Sequence, residues 1–381
     1  MQESKVRIVG VGGAGCRIVD RLFDDIGHPS SLVAINTDAQ ALGECRAAAK
    51  IQIGEATTRG FGVGGDVAAG RQAALEEKEM LRALFSDIGM AIVVAGLGGG
   101  TGTGAGPVVM EAAREEGAVV LCFVTLPFSF EGSARMAKAR AALDDWSRLA
   151  DAVMVAPNDR LAEFVDEPGM ANAFRKVNAV LAAGMGGVEK LMAEPGLINL
   201  DFEDIRALLA DHAGIGVFAY GEGRGEDKAA QALDALIGSP LLDGGRALAR
   251  AEAVMLSIVG GEDMTLKEVG ALAHAVSEKV GSDGKVLIGT AIDAGYAGRI
   301  ALTAIVPDPL KKEDDSTAEL PLSDGDDIPD GTQRKTRALQ TRLKLEMPGK
   351  GRFKNVEPTI QDGQDLDIPT FVRRGIVIGK G

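Results

Sequence analysis

Seven glycines fall within the eleven residues Gly96–Gly106 of the stretch AGLGGGTGTGAGP (Ala95–Pro107), together with the hydroxyls of Thr101 and Thr103. The stretch follows an apolar run, AIVVA (Ala91–Ala95), and precedes a helical pattern over Val108–Glu116 that Gly117 stops. Glycine costs backbone entropy on ordering. A turn this rich in it is expected where bare N–H groups at a helix N-terminus must reach phosphate. Tight helix–strand packing accounts for one or two of these glycines, not for seven.

A first glycine turn, Gly10-Val11-Gly12-Gly13-Ala14-Gly15, fits GxGxxG between a strand and a helix, with Asp38 where a ribose-binding acid belongs. Alone, it suggests an NAD-dependent enzyme. A dinucleotide fold needs one such turn, however, and here the device recurs two strands later. Two helix N-termini facing one crevice suit a chain of several phosphates better. No lysine follows either turn, so neither is a GxxxxGK[ST] loop. The phosphates would be held by backbone N–H groups, threonine hydroxyls and a bound cation.

Two acidic motifs follow. In PFSFEGSARM (Pro127–Met136), Glu131 and Arg135 stand four apart; they read either as a helical ion pair or as ligand-side residues at the end of a strand. In GLINLDFEDIR (Gly196–Arg206), Asp201 and Asp204 open a helix three residues apart. They read as a helix cap or as a carboxylate pair that polarises water for attack on a phosphate. The second reading needs another copy of the molecule, because these acids lie beyond a long helix and outside the glycine-turn half.

The surrounding pattern predicts an α/β fold. Strands over Val6–Gly12, Leu32–Asn36, Ala118–Pro127 and Asp151–Asn158 alternate with helices over Cys16–Phe23, Gln72–Phe85 and Arg135–Leu149. That alternation indicates a mostly parallel sheet covered on both faces. A polar loop is expected between Asn36 and the glycine-rich Arg59–Asp66. A central helix, Ala171–Met192, interrupted by Gly184, Gly186 and Gly187, leads to a second, α+β region from Leu197 to Pro307. The domain reading is therefore 1–169, 170–196 and 197–307. Beyond it, 308–364 has blocks of acids then bases and reads as a disordered linker; 365–381 regains apolar anchors and reads as a docking peptide.

The chain has 381 residues, a net charge of −14 and 46% hydrophobic residues, which speaks for a packed core and against a nucleic-acid surface. No secretory leader or membrane-length apolar run is evident, so a cytoplasmic protein without direct membrane insertion is expected. Cys16, Cys45 and Cys122 show no paired spacing and read as reduced thiols; His28, His212 and His274 have no ligand spacing, so a zinc site is not expected.

Taken together, GGGTGTGAGP, INTDAQAL, PFSFEG, APNDRL, GLINLDFEDIR, GEDKA and SPLL resemble, in order, the tubulin/FtsZ superfamily, most closely the bacterial FtsZ cell-division proteins. The similarity spans about residues 5–307, and DLDIPTFVRR resembles the family's tail peptide. It implies a nucleotide-binding domain of tubulin/FtsZ type, a GTPase that binds GTP/GDP with Mg2+ and polymerises head to tail into filaments for septation. It further implies that Gly12, Gly13, Ala14, Gly15, Cys16 and Arg17, with Gly99, Gly100, Thr101, Gly102 and Thr103, meet the phosphates. Glu131 and Arg135 are implied at ribose and phosphate, Phe174 and Asn178 at the base, and Asp201 and Asp204 as the catalytic pair given to the neighbour. Asp367, Ile368, Pro369, Phe371 and Val372 are implied to dock membrane adaptors and other division proteins, placing the protein at the division site. A paralogue serving cell shape or regulating the main division filament is the alternative.

Four positions depart from the family pattern: Arg17 and Asp66 replace asparagines, Leu126 replaces a basic residue, and Ala179 removes one of two adjacent polar base-reading residues.

Overall fold

The computed structural model describes residues 5–24, 26, 29–162, 170–193, 196–212, 214–281, 284–307, 360–361 and 364–365. The linker 308–359 and the docking residues Asp367, Ile368, Pro369, Phe371 and Val372 lie outside them. The chain divides into two units, Met1–Asp315 and Ser316–Gly381. In the second, Ile360–Gln361 pairs antiparallel with Gln364–Asp365.

The first unit is built on ten strands: β1 (Val6–Val11), β2 (Leu32–Asn36), β3 (Ala49–Gln52), β4 (Met90–Gly96), β5 (Val119–Leu126), β6 (Ala152–Pro157), β7 (Gly214–Arg224), β8 (Ala253–Gly260), β9 (Lys285–Ile292) and β10 (Arg299–Pro307). They form one sheet in the order β3-β2-β1-β4-β5-β6-β7-β10-β8-β9. The first seven run parallel, with Val9 beside both Val33 and Val93, and Ala152 opposite Gly214. β10 is antiparallel to β7 and β8, and β9 is parallel to β8. β4 and β5 are almost entirely buried. That is why they read as unbroken Val/Ile/Leu/Ala runs rather than alternations.

Helices that cover the sheet include α1 (Gly12–Leu22), α2 (Val67–Glu76), α3 (Thr101–Glu115), α4 (Ser133–Leu149), α5 (Asn158–Ala162), α6 (Met170–Ala193), α7 (Phe202–Asp211), α8 (Lys228–Ile237) and α9 (Leu266–Lys279). α6, about 36 Å long at 1.5 Å per residue, touches β1 and α1 on one side and β7, β8, β9 and β10 on the other.

Two local differences from the sequence expectation have physical causes. β3 forms where a polar loop was expected, because the edge strand AKIQ buries only Ile51 and looks polar. The second glycine stretch is half helix: α3 begins at Thr101, seven residues before the expected start. Its glycines serve packing, since Gly104 lies against the α2 backbone and Gly106 against the Trp146 ring. Only Gly96 to Gly100 make the turn.

Candidate functional site

The carboxyl ends of β1, β4 and β5 lie at one edge of the sheet, the place where parallel α/β sheets hold ligands. A cavity of about 380 Å³ opens there. It is lined by Gly12, Gly13, Ala14 and Arg17 from the first turn, Gly99, Gly100, Thr101 and Gly102 from the second, and Glu131, Arg135, Phe174 and Asn178.

The two turns are built against each other. Gly12 has φ +73°, and a side chain there would meet the backbone of Gly102. The N-termini of α1 and α3 therefore converge, directing two sets of unpaired N–H groups at the same space. Thr37, fully buried after β2, shares a 2.7 Å hydroxyl hydrogen bond with Thr101. Loop N–H groups of Leu97 and Gly98 donate to Thr125 O and Thr103 Oγ1, each at 2.9 Å.

Three expected contacts sit behind this surface rather than on it. Thr103 is buried and occupied by Gly98. Gly15 packs on the β4 and β1 backbone. The Cys16 thiol points inward toward Ile35 O, and burial, with smaller opposing contributions from neighbouring charges, pushes it up to about 12. It is neutral at any ordinary pH, and only its backbone remains available.

The opposite wall carries both readings of its acid at once. Glu131 pairs with Arg135 at 2.9 Å and also accepts from the Phe128 N–H at 2.8 Å. The pair is a real i,i+4 bridge, and it lines the cavity. Phe174, at the start of α6, meets Phe128 edge to face at 5.1 Å. Asn158, which no sequence signal singled out beyond the APNDRL stretch, also lines the cavity; its Oδ1 is buried with no hydrogen-bond partner among the described residues. A ligand donor would satisfy it. Of the departures, Arg17 faces the cavity, while Asp66 caps α2 by accepting from Ala69 N. Asp38 caps the helix Ala39–Glu44 instead of lining the cavity, which removes the acid a dinucleotide enzyme requires.

Among the described residues no three acid, histidine or cysteine side chains gather around a metal position. The lining has one carboxylate, Glu131, already paired. This fits magnesium that arrives on nucleotide phosphates, since that ion needs few protein ligands. Thr101 and Thr125 are the hydroxyl residues of the lining, the former sharing its hydrogen bond with Thr37.

Asp201 and Asp204 are exposed and absent from the cavity lining. They cap α7 reciprocally. Their helix is fastened to the far edge of the sheet: the Phe202 ring lies against Gly89, just before β4, and Arg206 donates to Gly117 O, just before β5, at 2.8 Å. The cavity sits past the other ends of the same strands. Seven-residue β4 alone separates the two places by about 23 Å at 3.3 Å per residue.

The Tubulin/FtsZ family GTPase-domain model matches residues 5–166, and the FtsZ family C-terminal-domain model matches residues 214–308. Cell division protein FtsZ 1 of Archaeoglobus fulgidus is 40% identical over 291 residues, covering 76% of this chain and 78% of that protein. Among solved structures, an empty FtsZ dimer from M. jannaschii superposes with a TM-score of 0.73 at 35% identity, covering 80% of this chain and 88% of that one. CetZ2 from Haloferax volcanii, solved as a GTPγS-bound protofilament, shares the fold with a TM-score of 0.63 at 24% identity, over 79% of this chain and 92% of its own.

Proposed function

Because the chain belongs to the FtsZ family within the tubulin/FtsZ superfamily, we propose that it is a GTP-hydrolysing filament protein of cell division whose active site is completed by a second copy. The observation that carries this reading is the placement of cavity and acids at opposite ends of β4 and β5. Neither can serve the other within one chain. Stacked head to tail, the lower edge of one copy meets the upper edge of the next.

In that arrangement residues 1–169 hold the nucleotide. The N-termini of α1 and α3 receive the phosphates, Arg17 and Arg135 add positive charge, and Glu131 takes the ribose. Phe174 packs on the base, which Asn178 and Asn158 hydrogen-bond. Magnesium, when bound, neutralises charge between phosphates. From the 197–307 region of the neighbour, Asp201 and Asp204 orient a water. Its oxygen bonds to the terminal phosphorus, the bond to the bridging oxygen breaks, and the water's proton passes to a carboxylate. The tail 365–381 would tie the filament to membrane adaptors, as no described helix is long and apolar enough to cross a membrane.

The test is GTP turnover per subunit against protein concentration. A shared site gives a specific activity that climbs from near zero and saturates; a flat rate overturns it. Deleting 365–381 should leave turnover intact and abolish adaptor binding.

A further inference from the structure

The segment that bears the two acids is fixed from an unexpected direction. Asp201 follows the five residues Gly196–Leu200, which connect α6 to α7 along strand β9 at the edge of the sheet. Fully buried Thr290 of β9 grips this segment at Ile198 three times. Its N–H donates to Ile198 O at 2.9 Å, and its Oγ1 accepts from Ile198 N at 2.8 Å and donates to Ile198 O at 3.4 Å. A side chain on Gly196 would overlap the Thr290 carbonyl. The adjacent Gly289 leaves room for Leu191, in the last turn of α6, and for Leu200, next to Asp201. One residue past β9, Asp293 pairs with Lys190 of α6.

Within the segment itself, Gly196 N donates to Asn199 Oδ1 at 2.9 Å. The other contacts that fix it come from β9 and the residue after it on one side of Asp201, and from Gly89 and Gly117 on the other. Asp201 thus stands between two anchors on different parts of the sheet, at Ile198 and Phe202.

We infer that Thr290 is a positioning residue for hydrolysis: its hydroxyl sets where the Asp201–Asp204 pair is presented to the neighbouring copy. The inference rests on the shared-site reading above. Thr290→Val keeps the shape of the side chain and the backbone hydrogen bond but leaves the Ile198 N–H unpaired. Saturating turnover is expected to fall about tenfold, the scale of one lost hydrogen bond with an orphaned donor. GTP affinity of the monomer should stay unchanged, because the cavity lies beyond the other end of the strands. Thr290→Ser should restore the rate.

Three outcomes decide the matter. Asp201→Asn inactive with Thr290→Val at wild-type turnover leaves the shared site standing and overturns the clamp. Asp201→Asn at wild-type turnover overturns the shared site itself. A drop in GTP affinity matching the drop in rate shows a general loss of structure and also overturns the clamp. Should Thr290→Val fail to fold, amide exchange at Ile198 in the wild-type protein decides: protection is expected, and free exchange overturns the proposal.

Discussion

Asp201 Oδ1 accepts from the Asp204 N–H at 2.8 Å, and Asp204 Oδ2 accepts from the Asp201 N–H at 3.1 Å. Each acid uses one oxygen to cap the helix, leaving the other carboxylate oxygen with no hydrogen bond to the described residues. The cap and the proposed chemistry are therefore compatible, because the cap leaves one oxygen of each carboxylate open.

That division can be separated experimentally. Asparagine caps as well as aspartate, so Asp201→Asn and Asp204→Asn should keep thermal stability while turnover falls about a hundredfold or more, as when a general base is removed. Alanine at either position should cost about 1 kcal/mol of stability as well. Wild-type turnover in both asparagine variants would leave the acids as a cap alone.

Asn158 offers a test of the cavity. Its buried Oδ1 has no hydrogen-bond partner among the described residues. Asn158→Ala should therefore leave the nucleotide-free protein as stable as the wild type, or slightly more so, while GTP binding weakens about tenfold. Titration calorimetry reads both the affinity and its change; equal affinities would remove Asn158 from the site.

The three thiols predict an alkaline limit. Burial raises Cys16 to about 12 and raises Cys45 and Cys122 above the ordinary 9.0. The native chain keeps these protons while the unfolded chain releases them. Their contribution to stability is whole below pH 9 and shrinks as pH rises toward 12. Urea midpoints at pH 8 and pH 10.5 should differ accordingly, and Cys16→Ala should flatten the trend; identical wild-type midpoints would contradict it.

Phe61 is 88% exposed, on a glycine-rich loop that is bridged to Asp38 and whose Gly62 N–H donates to Thr37, the partner of Thr101 in the cavity lining. A large apolar group so placed suits contact with another copy. Phe61→Ser should leave nucleotide affinity unchanged and raise the concentration needed for sedimentable assembly several-fold, by the size of a lost aromatic contact. Assembly at the wild-type threshold would exclude Phe61 from the contact.

Much of the fold was legible because buried strands announce themselves as apolar runs: AIVVA (Ala91–Ala95) falls within β4, and the expected strand Ala118–Pro127 encloses β5 with one residue to spare at each end. AKIQ was not legible, since an edge strand buries one side chain in four. The helix α6 was legible despite its glycines. Their reason was not, because Gly184 and Gly187 make room for Phe218 and Thr303, which lie more than thirty residues away in sequence. The two glycine turns followed from spacing, and the cavity residues on them from the family resemblance. Asn158 and Thr37 did not, since their roles come from burial and from a partner at the start of helix α3. Thr290 was invisible for the same reason: nothing local marks a threonine whose partner is Ile198.

In the proposed head-to-tail filament, the opposed ends of β4 and β5 would make the stack chemically lopsided. One tip would display an open cleft whose nucleotide has no acids above it, and the other would display acids with nothing to cut. The terminal nucleotide would then be spared by geometry alone, and every newcomer landing on it would start a clock. A polymer of this kind carries its own record of age, read from the uncut end inward.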